Sequence, residues 1–210
     1  MHALEPAEQF ETLEKQEHAA RLAMWVFLGS ETLLFGGLFA LYAAYRAMYP
    51  AEFREALLHN NTLLGTTNTI ILITSSFTVA LAVHYVRVDR SALAAALLGL
   101  STAFGMTFLV LKFVEYADHI RHAALPAGMY TMAEAPPGGV VMGQTLYWFM
   151  TALHALHVVA GMILLGIAAI GCARHRYGRD RSIIVENAGL YWHLVDIIWI
   201  FLWPLFYLAK

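Results

Sequence analysis

Two clusters of ionisable and hydrogen-bonding residues lie inside otherwise apolar stretches: Thr151, His154 and His157 ahead of Gly161, and Tyr191, Trp192, His193, Asp196 and Trp199. Glu31, Asn68, Ser75 and Glu115 add further polar groups to apolar surroundings. Side chains of these types can ligate a metal, carry a proton, or bond one helix to another. His154 and His157 are three residues apart and share a helix face. One face cannot supply both axial ligands of a single iron, so haem would need His193 or His84 from another helix. Nothing else in the sequence marks a haem slot, and hydrogen bonding between helices is the expected role of His154, His157, His193 and Asp196.

The elements that must position these groups follow from composition. The chain has 210 residues, of which 60% are hydrophobic and 13% charged, and a mean hydropathy of +0.59. Ordinary soluble domains carry roughly 25% charged residues, so this is an all-α polytopic membrane protein. A bilayer core about 30 Å thick needs about 20 apolar helical residues. That length predicts five transmembrane helices, near residues 22–45, 62–86, 92–116, 143–171 and 189–208. Residues 1–21, with Glu5, Glu8, Glu11, Glu14 and Glu17, read as a polar amino-terminal arm, and residues 22–210 as one helical bundle. The arm lacks the basic start and apolar core of a cleavable signal, so the first span is expected to act as an uncleaved anchor.

Five spans put the termini on opposite sides. Eight Lys and Arg residues fall on the amino-terminal side (Lys15, Arg21, Arg87, Arg90, Arg174, Arg176, Arg179, Arg181), and four on the other (Arg46, Arg54, Arg121, Lys210). The positive-inside rule then predicts a cytoplasmic amino terminus and an external carboxyl terminus. The net charge of −2 provides no basic stripe for nucleic acid. Cys172, the single cysteine, can close no intrachain disulfide. No phosphate-binding loop, HExxH or CxxC is present.

Depth relates the polar groups to one another. Glu31 lies about 13 Å into the first span and Asp196 about 10 Å into the last, at 1.5 Å per residue. His157 descends from the opposite side, which suggests a polar layer of Glu31, His157 and Asp196. A bare carboxylate at that depth is costly, so Glu31 reads either as a proton-linked group or as a neutral acid bonded to a neighbouring helix. Asn68 and Ser75, two turns apart, fit a polar packing seam. Lys112 is expected to snorkel outward and pair with Glu115. Trp148, Trp192, Trp199 and Trp203 are expected to form an interfacial belt. His119 and His122, in a connection spanning residues 117–140, are expected to be solvated rather than metal-bound.

Taken together, these segments resemble subunit III of the haem–copper terminal oxidases. The likeness runs over residues 21–210. It rests on the Met24–Phe39 segment with its buried Glu31, on Asn68-Thr69 and Ser75-Ser76, on Glu115-Tyr116, and on the two His-bearing signatures, five matches in order. The chain resembles the short, five-helix bacterial form, without the two extra amino-terminal helices of longer members. The resemblance implies a subunit with no catalytic centre and no metal or cofactor of its own; haem and copper belong to partner subunits. It implies direct contact with subunit I, association with subunit II and smaller subunits, bound phospholipid, and a location in the bacterial inner membrane. Support of proton uptake, of subunit I stability and of oxygen access in a proton-pumping cytochrome c oxidase is the implied function. Alternatives are a quinol oxidase subunit III, a nitric oxide reductase accessory subunit, a stand-alone proton-coupled transporter built on Glu31, and a haem-binding cytochrome.

Overall fold

A computed structural model describes residues 9–58, 60–122, 125–127, 129, 136–178 and 181–209. Six α-helices follow one another: α1 Leu13–Met48, α2 Pro50–Ala56, α3 Thr62–Arg87, α4 Ser91–Arg121, α5 Gly138–Ala173 and α6 Ile183–Trp203, with a π-helical turn at Pro204–Leu208. Five of them are long and apolar enough to cross a membrane, and no strand occurs among the described residues. The all-α, five-span expectation therefore holds. Parts of the expected 117–140 connection lie outside the described residues; within it, α4 continues to Arg121 and α5 starts at Gly138.

Helix starts carry local signals. Thr12 caps α1, its hydroxyl accepting from the Lys15 amide at 3.2 Å, so the helix begins at Leu13, nine residues before the expected span start at Leu22. At 36 residues it is about 54 Å long, well beyond the bilayer core. The Asn61 side chain accepts from the amides of Leu63 and Leu64 at 3.0 and 3.3 Å and starts α3. On the amino-terminal face, α3 and α5 end alike. Asp89 and His175 adopt left-handed φ values of 60° and 53°, and the amides of Arg90 and Arg176 reach back to the carbonyls of Tyr85 and Gly171, both at 2.9 Å. These are the wrap-around bonds that satisfy terminal carbonyls.

Packing divides the bundle unevenly. Helix α3 packs against α4 and α6, α4 against α5, and α5 against α6, while α2 lies on α5. These helices enclose Phe108, Val158, Leu165, Trp192, Val195 and Trp199, all fully buried. Helix α1 packs chiefly against α5 and α6 and buries only Leu28, Phe35 and Tyr42, one residue every two turns. Leu33 and Phe113 are each 78% exposed and Leu63 75%, while Asn68, Ser75, Ser101 and His154 are fully buried. Apolar groups outside and polar groups inside is the arrangement that lipid demands and water forbids.

The expected aromatic belt does not include its two central members. Trp192 and Trp199 are both 0% exposed. Trp192 fits because Gly105 and Gly161 flank it: a Cβ on Gly161 would lie 2.7 Å from its ring and one on Gly105 2.8 Å. Sequence position along α6 cannot reveal a slot made for Trp192 by glycines of two other helices.

Candidate functional site

Three polar constellations sit between the helices. The first joins α1 to α5. His157 Nε2 lies 2.9 Å from Glu31 Oε2, with the two side chains 13% and 16% exposed. His157 Nδ1 faces the Leu153 carbonyl at 2.8 Å and so must donate there, since a carbonyl only accepts. Nε2 and the carboxyl group then share one further proton, as an acid donating to a neutral ring or as an ion pair. Phe35 meets the imidazole edge-on at 5.3 Å, and the Tyr191 hydroxyl donates to the His157 carbonyl at 3.3 Å. The expected three-member layer is thus a pair. Asp196 does not join it, because its carboxylate faces Ser76 of α3, and depth alone gives no azimuth around a helix.

The second constellation lies along the contact of α3 with α4 and α6. The indole N–H of Trp192 donates to Ser75 Oγ and that of Trp199 to Thr69 Oγ1, each at 3.0 Å. Thr78 and Ser101 hydroxyls meet at 2.7 Å across α3 and α4, and Ser76 Oγ meets His193 Nδ1 at 2.7 Å. Ser75 therefore stands in a polar seam of the expected kind. Asn68 is fully buried with neither amide atom hydrogen-bonded, and both oxygens of Asp196 likewise close no hydrogen bond of ordinary geometry. His154 also differs from expectation. Its nitrogens make no hydrogen bond, and the ring is stacked on Trp199 at 5.2 Å and set edge-on to Phe108 at 5.6 Å.

The third constellation, toward the carboxyl-terminal end, is the most enclosed. Lys112 Nζ donates to Glu115 Oε2 at 2.8 Å, to Tyr207 Oη at 3.0 Å and to Tyr147 Oη at 3.1 Å. Tyr207 donates to the same Glu115 oxygen at 2.7 Å. The ammonium also stands 4.9 Å from the Tyr116 ring centre and 5.5 Å from Trp199. Side-chain exposure is 2% for Lys112 and 1% for Glu115. The expected pairing forms, but Lys112 points inward instead of snorkelling. Three aromatic hydroxyl and carboxylate acceptors supply what the interface would otherwise supply. His119 is buried as well, not solvated. Its Nδ1 faces the Glu115 carbonyl at 2.9 Å and its Nε2 faces Asn60 Oδ1 at 2.7 Å, with Tyr147 stacked at 4.9 Å. Asn60 in turn donates to the Phe206 carbonyl at 2.8 Å. Tyr147, Tyr207 and Asn60 carried no sequence signal beyond a lysine in a long apolar run, which requires acceptors from somewhere.

Among the described residues, no group of three His, Cys, Asp or Glu is placed to hold a metal ion. The hydrogen bonds of these constellations join one helix to another.

Comparison with known proteins gives this chemistry a context. The family model for cytochrome c oxidase subunit III matches residues 11–209. Cytochrome c oxidase subunit 3 of Synechocystis sp. is 33% identical over 185 residues, covering 87% of this chain and 72% of its own length. A haem–copper oxidase subunit I+III of Aeropyrum pernix is 33% identical over 199 residues, 90% of this chain and 22% of that longer protein. A probable quinol oxidase subunit 3 of Staphylococcus saprophyticus is 25% identical over 203 residues, 94% of each chain.

Proposed function

The chain belongs to the cytochrome c oxidase subunit III family, and from that premise we propose that it serves aerobic respiration as the non-redox subunit of a proton-pumping cytochrome c oxidase. The coarser statement is secure: it is a multi-pass membrane subunit of a haem–copper oxidase. The finer one assigns it a place beside subunit I, where it holds that subunit in its working state, supports proton uptake, retains phospholipid and eases oxygen access from the bilayer. The continuous match over residues 11–209 carries this reading. The inward turn of its polar groups, with apolar side chains left outside, supports it. A relative in which subunits I and III form one chain favours direct contact with subunit I.

The proposed setting is a bacterial inner membrane, with the amino terminus cytoplasmic because the Arg-rich connections fall on that side. Glu31, His154, His157, His193 and Asp196 are proposed as the groups that couple the helices or carry protons. Asn68, Ser75 and Glu115 are proposed as packing groups. A quinol oxidase is the second reading, favoured by the Staphylococcus saprophyticus relative.

Co-purification of the tagged chain followed by mass spectrometry tests the proposal. Subunits I and II of an oxidase are expected in the preparation, with copper-ligating Cys and His residues in subunit II. A subunit II without those ligands would move the assignment to quinol. Recovery of the chain alone as a stable, transport-active species would overturn the reading.

A further inference from the structure

A groove of about 250 Å³ opens between α3 and α6 on the amino-terminal side, lined by Ala80, Val83, Arg87, Glu186, Leu190 and His193, with Gly189 at its floor. Its length follows from helical spacing. Glu186 and His193 lie seven residues apart on one face of α6, and Ser76, Ala80, Val83 and Arg87 form the opposing face of α3. The groove therefore runs two turns, about 10 Å, from the Arg87–Glu186 ion pair at its mouth to the His193 ring. Its lining is mainly apolar, with Arg87, Glu186 and His193 as the polar partners available to water.

Beyond the ring lies Asp196, 3% exposed. Ser76 Oγ is 2.7 Å from His193 Nδ1 and neighbours the Asp196 carboxyl group, whose two oxygens are buried and make no hydrogen bond in this state. His193 of α6 and Ser76 of α3 are thus the groups that link Asp196 to the groove, with Glu186 and Arg87 as the charged groups at its mouth. Nδ1 being engaged, Nε2 is the nitrogen left for the groove. We propose that the α3–α6 groove is a proton access route and that Asp196 is a protonatable store filled from it through His193 and Ser76. The site is distinct from the Glu31–His157 pair, which lies between α1 and α5.

Filling balances in one concerted shift. Hydronium in the groove gives a proton to Nε2 and leaves water. The Nδ1–H proton passes to Ser76 Oγ, and the Ser76 hydrogen passes to the Asp196 carboxylate. The ring is left neutral with its proton on Nε2, and a ring flip or a water-borne proton resets the tautomer. Emptying runs in reverse. An intramembrane carboxylate without a cation is costly, so the filled, neutral acid is the resting form.

The test is infrared spectroscopy of the intact oxidase. A carbonyl stretch from a protonated carboxyl group that is lost in Asp196→Asn assigns the store, and its shift after rapid transfer to deuterated water gives the exchange rate. Ala80→Leu narrows the groove without touching an ionisable group, and His193→Gln keeps a partner for Ser76 while removing the ring. Each is expected to slow exchange roughly tenfold or more, the change produced by one added barrier of about 1.4 kcal/mol. Retention of subunit III, read separately on a gel, keeps loss of the subunit apart from loss of the route. Equal exchange rates in the parent, Ala80→Leu and His193→Gln enzymes would overturn the proposal. So would absence of any carbonyl band sensitive to Asp196→Asn, or a lipid acyl chain found filling the groove while exchange stays fast.

Discussion

Glu115 and Glu31 each meet one basic group at nearly the same distance, 2.8 Å to Lys112 and 2.9 Å to His157. Their surroundings differ. Glu115 is closed in by α4, α5 and the final turn of the chain, its oxygen shared between an ammonium and a tyrosine hydroxyl. Glu31 rides on α1, the least embedded span, and retains 16% exposure. The ammonium of Lys112 can only donate, whereas Nε2 of His157 can donate or accept. Equal distances thus describe two devices: a lock that fastens the carboxyl-terminal end, and a proton-sharing pair on an open flank.

The sharpest way to break this contrast is to remove one charge from the lock. Lys112→Met leaves the buried Glu115 without its cation, with Tyr207 still donating to it, which costs about 3–5 kcal/mol. Lys112→Met with Glu115→Gln removes both charges while keeping an acceptor for Tyr207, and should recover most of that loss. Subunit III release from the detergent-solubilised oxidase on heating is the measurement. A single variant as stable as the parent would show that the enclosed pair is no lock.

Next in size is packing. Gly161→Ala places a Cβ 2.7 Å from the Trp192 ring, and overpacking of that kind costs about 1–3 kcal/mol. Gly36→Ala on α1 meets nothing within 4 Å and should leave the release temperature of subunit III unchanged. If both substitutions were equally tolerated in the same heating assay, the division into a tight core and a loosely packed flank would fail.

Much of this contrast could be read in the residues beforehand. Five apolar runs of about 20 residues dictate five helices, because nothing else satisfies the backbone in lipid. Asn68 and Ser75, two turns apart, suggested a polar seam; Ser75 accepts from Trp192, while neither amide atom of Asn68 makes a hydrogen bond. What did not follow was azimuth. Asp196 and Glu31 share a depth but face different helices, and His154 looked like a hydrogen-bonding residue until Phe108 and Trp199 were seen to enclose it. Lys112 and His119 lie close to a span end, where sequence reasoning assigns charge to the interface. Besides Glu115 nearby, acceptors distant in sequence draw them inward: Asn60 between α2 and α3, Tyr147 of α5 and Tyr207 in the last turn.

The Glu31–His157 pair gives a smaller effect that separates shape from charge. Glu31→Gln keeps a side chain of the same size able to bond His157, so assembly should persist and turnover should change only modestly. Glu31→Ala removes the bond that ties α1 to His157 of α5, a loss of about 0.5–1.5 kcal/mol, and should loosen subunit III. Complete loss of oxygen reduction in Glu31→Gln with subunit III still bound would assign Glu31 an indispensable proton role.

The smallest effect belongs to the amino-terminal face, where Arg87 Nε donates to Glu186 at 2.9 Å and Arg21 stands 3.7 Å from the same carboxylate. This trio ties together α1, α3 and α6, as Lys112 ties α4 to α5 and the last turn, but Arg87 and Arg21 are 59% and 55% exposed. Water competes for both guanidinium groups, and Arg21 can replace Arg87 as the partner of Glu186. Arg87→Gln should therefore cost no more than about 1 kcal/mol, and the difference from the parent should shrink further as salt is raised. The Lys112→Met defect should show no such salt dependence, because ions do not reach a side chain that is 2% exposed. Measuring both variants across the same salt series compares the two ends directly. A steep salt dependence at Lys112 would mean that the carboxyl-terminal junction opens to water in the working complex.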